Sequence, residues 1–134
     1  MGKRILIIDD DEAVRKAFGY ALRSTGYEVE SAASGEEGVR KALDADYDLV
    51  YLDLRMPGKD GIAVLREIRG QKPKLKVYLL TAFHREFFVD LVKARSEGLT
   101  FELLAKPLER SQIINITRGI LEGVWRSSGV SAGD

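Results

Sequence analysis

The chain contains no cysteine, so disulfides, thiol catalysis and cysteine-ligated metal sites are excluded. Histidine occurs once, at His84, at the start of a predicted helix. Its helical neighbours supply no good second ligand, so a surface role outranks metal binding or phosphotransfer there. Neither sign of charge is in excess: Lys+Arg and Asp+Glu both number 21. That argues against a nucleic-acid or membrane-surface protein working by bulk charge. No apolar run approaches the ~20 residues of a membrane span. The opening Met1-Gly2-Lys3-Arg4 passes straight into a short strand without the pattern of a signal peptide, so a cytoplasmic protein is expected. No internal repeat or second domain is visible. The 134 residues suit one domain with a sizeable core, expected over residues 1–126, with a small polar tail over 127–134.

What is present alternates with unusual regularity. Ile5 to Ile8 is a continuous apolar, β-branched run, the pattern of a strand covered on both faces. A helix follows with Val14, Ala17, Phe18, Ala21 and Leu22 at helical spacing and Gly26 as its stop. Glu28 to Ala32 is a weaker, alternating strand expected near an edge. Ser34 and Glu37 make a capping box for a helix through Val39, Ala42 and Leu43. Asp48 to Asp53 is the third strand, and Ile62, Leu65 and Ile68 line a helix stopped by Gly70. Val77 to Leu80 is the fourth strand, ending at Thr81. A helix over about 85–97 carries Phe87, Phe88, Leu91 and Val92, an apolar set wider than one buried face requires, so part of it is expected to serve a partner. Phe101 to Ala105 is the fifth strand. The last helix spans about 109–126 and turns Ile113, Ile116, Ile120, Leu121 and Val124 inward, with Trp125 closing the core near its end. Five strand–helix alternations imply an α/β fold, a parallel sheet with helices on both faces.

Four of these strands end in groups with ligand chemistry: Asp9 and Asp10, Asp53, Thr81, and Lys106. Ligands of doubly wound sheets bind beyond the carboxyl ends of the strands, where strand order reverses. If the first and third strands are neighbours there, three carboxylates converge and cannot all stay ionised without compensation. A hard divalent cation, Mg²⁺ above all, resolves that conflict. With Lys106 and Thr81 beside it, the site suits a phosphoryl group, and a carboxylate can itself be the nucleophile. Singly, each residue has an ordinary reading. Asp9 and Asp10 can cap the first helix, although Asp11 or Glu12 is the better candidate; Thr81 can cap a strand end; Lys106 can be a solvated charge.

Ile5-Leu6-Ile7-Ile8-Asp9-Asp10-Asp11-Glu12, Asp53-x-x-Met56-Pro57-x-x-Asp60-Gly61, Leu80-Thr81-Ala82 and Lys106-Pro107, in that order, resemble the receiver domain of two-component response regulators. The likeness runs from about residue 3 to 126. It implies a flavodoxin-like, doubly wound sheet of five parallel strands in order 2-1-3-4-5 with five helices, and a phosphorylation-dependent signalling switch rather than a conventional enzyme. By that resemblance Asp53 accepts a phosphoryl group from a sensor histidine kinase or phosphotransfer protein. Asp10, Asp53 and the backbone carbonyl of Arg55 would hold Mg²⁺, with Asp9 acting through water. Thr81 and Lys106 would contact the phosphoryl oxygens, and the Lys106-Pro107 bond would be cis. The implied partners are that donor and a downstream output protein or domain met through strands four and five and helices four and five; a homodimer would form through helix four, strand five and helix five. No nucleic-acid or membrane binding by this domain is implied.

The resemblance breaks near strand five. Leu103 stands three residues before the lysine, where receivers carry Tyr or Phe, and Gly98-Leu99-Thr100-Phe101-Glu102 replaces their usual lead into that strand. Side chains alternate along a strand, so Phe101 shares a face with Leu103 and becomes the nearest switch candidate beside Thr81, with Phe83 as a competitor and core packing as the rival role. Two other classes are open: a phosphate-independent interaction module on the same fold, and a Mg²⁺-dependent phosphohydrolase with an Asp nucleophile. The latter would want an acid two residues after Asp53, where Arg55 stands.

Overall fold

The computed structural model describes residues 2–82 and 85–123. Five parallel strands, β1 (Arg4–Ile8), β2 (Glu28–Ala32), β3 (Leu49–Asp53), β4 (Val77–Thr81) and β5 (Glu102–Ala105), alternate with helices α1 (Glu12–Leu22), α2 (Gly35–Asp44), α3 (Gly61–Gln71), α4 (Phe88–Ser96) and α5 (Arg110–Glu122). The strand order is β2-β1-β3-β4-β5, the expected doubly wound arrangement. β1 and β3 are adjacent at the switch point, with Ile5 paired to Leu49 and Ile8 to Leu52.

Alternation along the strands divides the core in two. Leu6, Ile8, Val50, Leu52, Val77 and Leu79 face the α2–α4 layer. Ile5, Ile7, Leu49, Tyr51 and Leu80 face the layer of α1 and α5. Residues 5–8 and 49–52 are fully buried, which is why the two central strands read as unbroken apolar runs. On the second face Phe18 packs on Tyr51 with ring centroids 4.9 Å apart, and the buried Tyr51 hydroxyl shares a 2.7 Å hydrogen bond with Thr117 Oγ1.

Local chemistry sets most boundaries. Asp11 caps α1, accepting from the Ala13 N–H at 2.9 Å. Ser34 accepts from the Glu37 N–H, while the Glu37 carboxylate reaches back to the N–H of Ala33. Four expectations shift. Ala17 is exposed rather than inward, because Phe18, Ala21 and Leu22 carry the contact with the sheet. Gly70 does not stop its helix. α3 runs on to Gln71 and closes where the Lys72 N–H donates to Ile68 O at 2.7 Å. The segment 85–87 is a 3-10 turn and α4 begins at Phe88. α5 ends at Glu122, because Gly123 takes the left-handed conformation, φ 72°, which glycine adopts without a Cβ clash. Phe83, His84, Val124, Trp125, the last residues of the expected 1–126 domain and the tail over 127–134 lie outside the described residues.

Candidate functional site

The carboxyl ends of β1, β3, β4 and β5 surround an open cavity of about 250 Å³, walled by Asp9, Asp10, Asp53, Arg55, Thr81 and Lys106 among others. The acids, Thr81 and Lys106 arrive by the same route: a strand carries the chain to the rim and ends there. Asp53 ends β3 with 5% exposure. The chain then reverses tightly, the Gly61 N–H donating to Leu54 O at 2.8 Å. A Cβ on Gly61 would stand 2.6 Å from the Asp53 carbonyl oxygen and 2.7 Å from the Leu54 Cα. Only glycine therefore lets α3 start this close to the acid. Asp60 caps α3 through the N–H of Ala63 at 2.9 Å.

Asp9 is fully buried. One of its oxygens accepts from the Asp11 N–H at 2.9 Å and the other from Lys106 Nζ at 3.2 Å. Lys106 Nζ also donates to Asp53 Oδ1 at 2.9 Å. One ammonium thus bridges two carboxylates, while the exposed Asp10 offers a third. Carboxylate oxygens of Asp9, Asp10 and Asp53 lie within 4.8 Å of one another. The Lys106-Pro107 bond is cis, and the Lys106 N–H donates to Thr81 O at 2.8 Å, tying the two rims together.

The electrostatics follow from crowding. Burial pushes the Asp53 carboxyl up to about 6; the hydrogen bond from Lys106 opposes this, and the Asp9 charge adds to it. Burial also raises Asp9, against the Asp11 N–H and Lys106. Burial pulls the Lys106 ammonium down, but the hydrogen bond and charge of Asp53, then those of Asp9, outweigh it and hold the group above its ordinary value. The site holds more negative charge than its lysine balances. Three convergent carboxylates with no nitrogen or sulfur ligand among them form an all-oxygen donor set suited to a hard divalent cation of the Mg²⁺ kind.

The switch candidates separate in space. Thr81 is buried on the cavity wall. Leu103 is half-buried, paired with Leu79 rather than Thr81. Phe101 is buried just before the amino end of β5, with the Arg95 guanidinium 4.4 Å from its ring centroid. It borders a different cavity, at the opposite end of the sheet. Among the described residues the aromatic ring that does reach the acid cavity is Phe87, which sequence spacing groups with the core. Arg15 was also not singled out; its guanidinium donates to the Asp9 carbonyl at 2.8 Å. Neither has a local sequence signal, since each depends on where α1 or α4 sits on the sheet. Of the α4 apolar set, Leu91 packs inward, whereas Phe88, Val89 and Val92 are 67%, 72% and 55% exposed.

Residues 5–118 match the response regulator receiver domain family. The chain is 40% identical over 121 residues to the alkaline phosphatase synthesis transcriptional regulatory protein PhoP of Bacillus subtilis, covering 90% of this chain and 49% of that protein. It is 34% identical over 122 residues to the chemotaxis protein CheY of Treponema pallidum, covering 89% and 83% of the two. Among solved structures, the response regulator TrrA of Thermotoga maritima, crystallised with Mg²⁺ and BeF, superposes with a TM-score of 0.73 at 34% identity, covering 89% of this chain and 99% of that one. The chain spans about half the length of the Bacillus regulators it matches. With the strand order, the acid cluster and the ordered motifs in agreement, the chain belongs to the response regulator receiver domains, the CheY-like phosphorylation-dependent switches of two-component signalling.

Proposed function

We propose that Asp53 is the phosphoryl acceptor of this receiver domain. The observation that carries the reading is the placement of its carboxylate: at a strand end, open to a cavity, 2.9 Å from Lys106 Nζ and grouped with two further acids. In the proposed step an Asp53 oxygen attacks phosphorus as the bond to the donor breaks. With a histidine kinase or phosphotransfer protein that bond is P–N, and its electron pair returns to the imidazole, which is reprotonated from solvent. The Lys106 ammonium then pairs with a phosphoryl oxygen instead of the carboxylate, and the Thr81 hydroxyl donates to another. Asp10, Asp53 and the Arg55 carbonyl would hold Mg²⁺, with Asp9 acting through water. When bound, the ion would supply charge neutralisation for the crowded acids and the incoming phosphoryl oxygens. The protein catalyses only its own phosphorylation and dephosphorylation.

The response passes to an output protein or domain through the surface of β4, β5, α4 and α5, where Phe88, Val89 and Val92 offer apolar area; a homodimer would use the same face. Among the described residues no helix is long and apolar enough to cross a membrane, and we place the chain in the cytoplasm with its donor kinase. A phosphohydrolase ranks lowest because Arg55 occupies the position of the second acid. A phosphate-independent module ranks below the acceptor reading because every group the chemistry requires lines one cavity. Incubation with acetyl phosphate and Mg²⁺ should add one phosphoryl mass, lost in Asp53→Asn and on omission of Mg²⁺. Equal labelling of Asp53→Asn would overturn the assignment.

A further inference from the structure

The cavity wall is made of acids, a hydroxyl, an ammonium, the Arg55 residue and aliphatic groups; Phe87 is its one aromatic ring among the described residues. That ring is half-buried and packs on the core of the α2–α4 layer. It ends the 3-10 turn before α4 and stands at the N-cap of that helix, with no side-chain cap hydrogen bond. Of the nine residues of α4 only Ala94 is buried. The ring thus stands where α4 begins, packed on that core and bordering the cavity that Thr81 and Ala82 also line.

This position has a chemical consequence that rests on the phosphoacceptor reading. An acyl phosphate on Asp53 decays when a water oxygen bonds to phosphorus and the P–O bond to the carboxylate breaks. The carboxylate leaves with the electron pair, and the water's proton passes to the departing phosphate or to solvent. A cavity of about 250 Å³ has room for several waters of about 30 Å³ each beside a phosphoryl group. Polar walls would order such waters for attack. An aromatic face cannot hydrogen-bond them in that way, and its bulk removes space they would fill, which protects a reactive intermediate from solvent. We propose that Phe87 is a specificity-determining residue of the site: its ring excludes water from the phosphoryl group and so lengthens the life of phosphorylated Asp53.

The test loads the protein with acetyl phosphate and Mg²⁺, removes the donor by desalting and follows loss of the phosphoryl mass with time. Thermal midpoints are measured in parallel. Phe87→Ala should lose the label faster by about fivefold or more, as expected when a water-excluding wall is opened. Phe87→Tyr, which keeps the ring, should stay within about twofold of the parent on the same argument. Tyr20→Ala removes an exposed ring of α1 that does not line the cavity and should leave the decay unchanged. If Phe87→Ala does not fold, Phe87→Leu carries the test, with an acceleration of about twofold expected from its smaller loss of bulk. An unchanged decay rate in the folded Phe87 variants, or equal acceleration in Tyr20→Ala, would overturn the inference while leaving Asp53 as acceptor. A parent protein that takes up no phosphoryl mass would overturn the acceptor reading itself, and this inference with it.

Discussion

The two ends of the sheet handle charge in opposite ways. At the amino end, Arg69 and Lys72 are bound to backbone carbonyls. The Arg69 guanidinium donates to the carbonyls of Thr100, Lys72 and Leu75, the Thr100 bonds being 2.8 and 3.0 Å. Lys72 Nζ donates to the carbonyls of Ala42, at 2.8 Å, and Ala45. These carbonyls close the ends of α2 and α3 and the approaches to β4 and β5, where helix geometry leaves acceptors without partners. At the carboxyl end, three acids meet one ammonium and their mutual repulsion is left in place. The first arrangement lowers the energy of the fold. The second raises it and leaves the site ready for a ligand that brings positive charge. Function sits where the chain tolerates an electrostatic conflict, a pattern common to sites with perturbed titration.

Substitutions at the two ends should break this contrast in different observables. The largest effect is expected at Lys106. Lys106→Met removes the ammonium that bridges the Asp9 and Asp53 carboxylates, and labelling of Asp53 by acetyl phosphate should slow by about 100-fold, the scale of losing one electrostatic partner of a reacting group. A rate within a few-fold of the parent would show that the ammonium is merely structural. Next is Arg69→Met, which should lower unfolding free energy by about 1–2 kcal/mol, because half-buried carbonyls of Lys72 and Leu75 lose a charged donor. Labelling of the folded protein should be unchanged, and a large fall in labelling rate at full stability would erase the distinction between the two ends.

The smallest effect is a pH dependence. Asp53 has its folded pKa raised from the ordinary carboxylate range to about 6. Between the unfolded value near 4 and the folded value, the native state holds more proton than the unfolded state, so stability falls as pH rises. The penalty is fully present above pH 6 and absent well below the unfolded value. In a chelator, urea unfolding of the parent and of Asp53→Asn should diverge between pH 4 and 7 by about 1–2 kcal/mol in favour of the variant. Parallel curves across that window would remove the electrostatic conflict from the carboxyl end.

The alternation of five strands with five amphipathic helices was legible in the sequence, most clearly at the central strands, because strands buried on both faces read as continuous Ile, Leu and Val. So were the caps at Asp11 and Ser34 and the acids at strand ends, which are local chemistry. Helix ends were less legible: Gly70 resembles a stop, yet Ile68 and Lys72 carry the helix past it, while Gly123, which does stop one, was passed over.

The sequence by itself determined which groups stand at the carboxyl rim. A strand's last residue is fixed by where its apolar run ends, and right-handed crossovers bring all those ends to one edge. Only the tertiary structure decided how these groups meet and which ring joins them. Lys106 bridges Asp9 and Asp53 because β5 lies two strands from β3 with β4 between them, and the Thr81–Lys106 backbone bond brings the rims together. Phe101 and Phe87 illustrate the same limit. Alternation places Phe101 on the face of Leu103, and it lies there, but the parallel register pairs the following residue, Glu102, with Tyr78 at the far end of β4 from Thr81. Phe87 reaches the cavity because α4 packs across that face, and periodicity, which sorts residues only within one element, carries no information about the docking of one element on another.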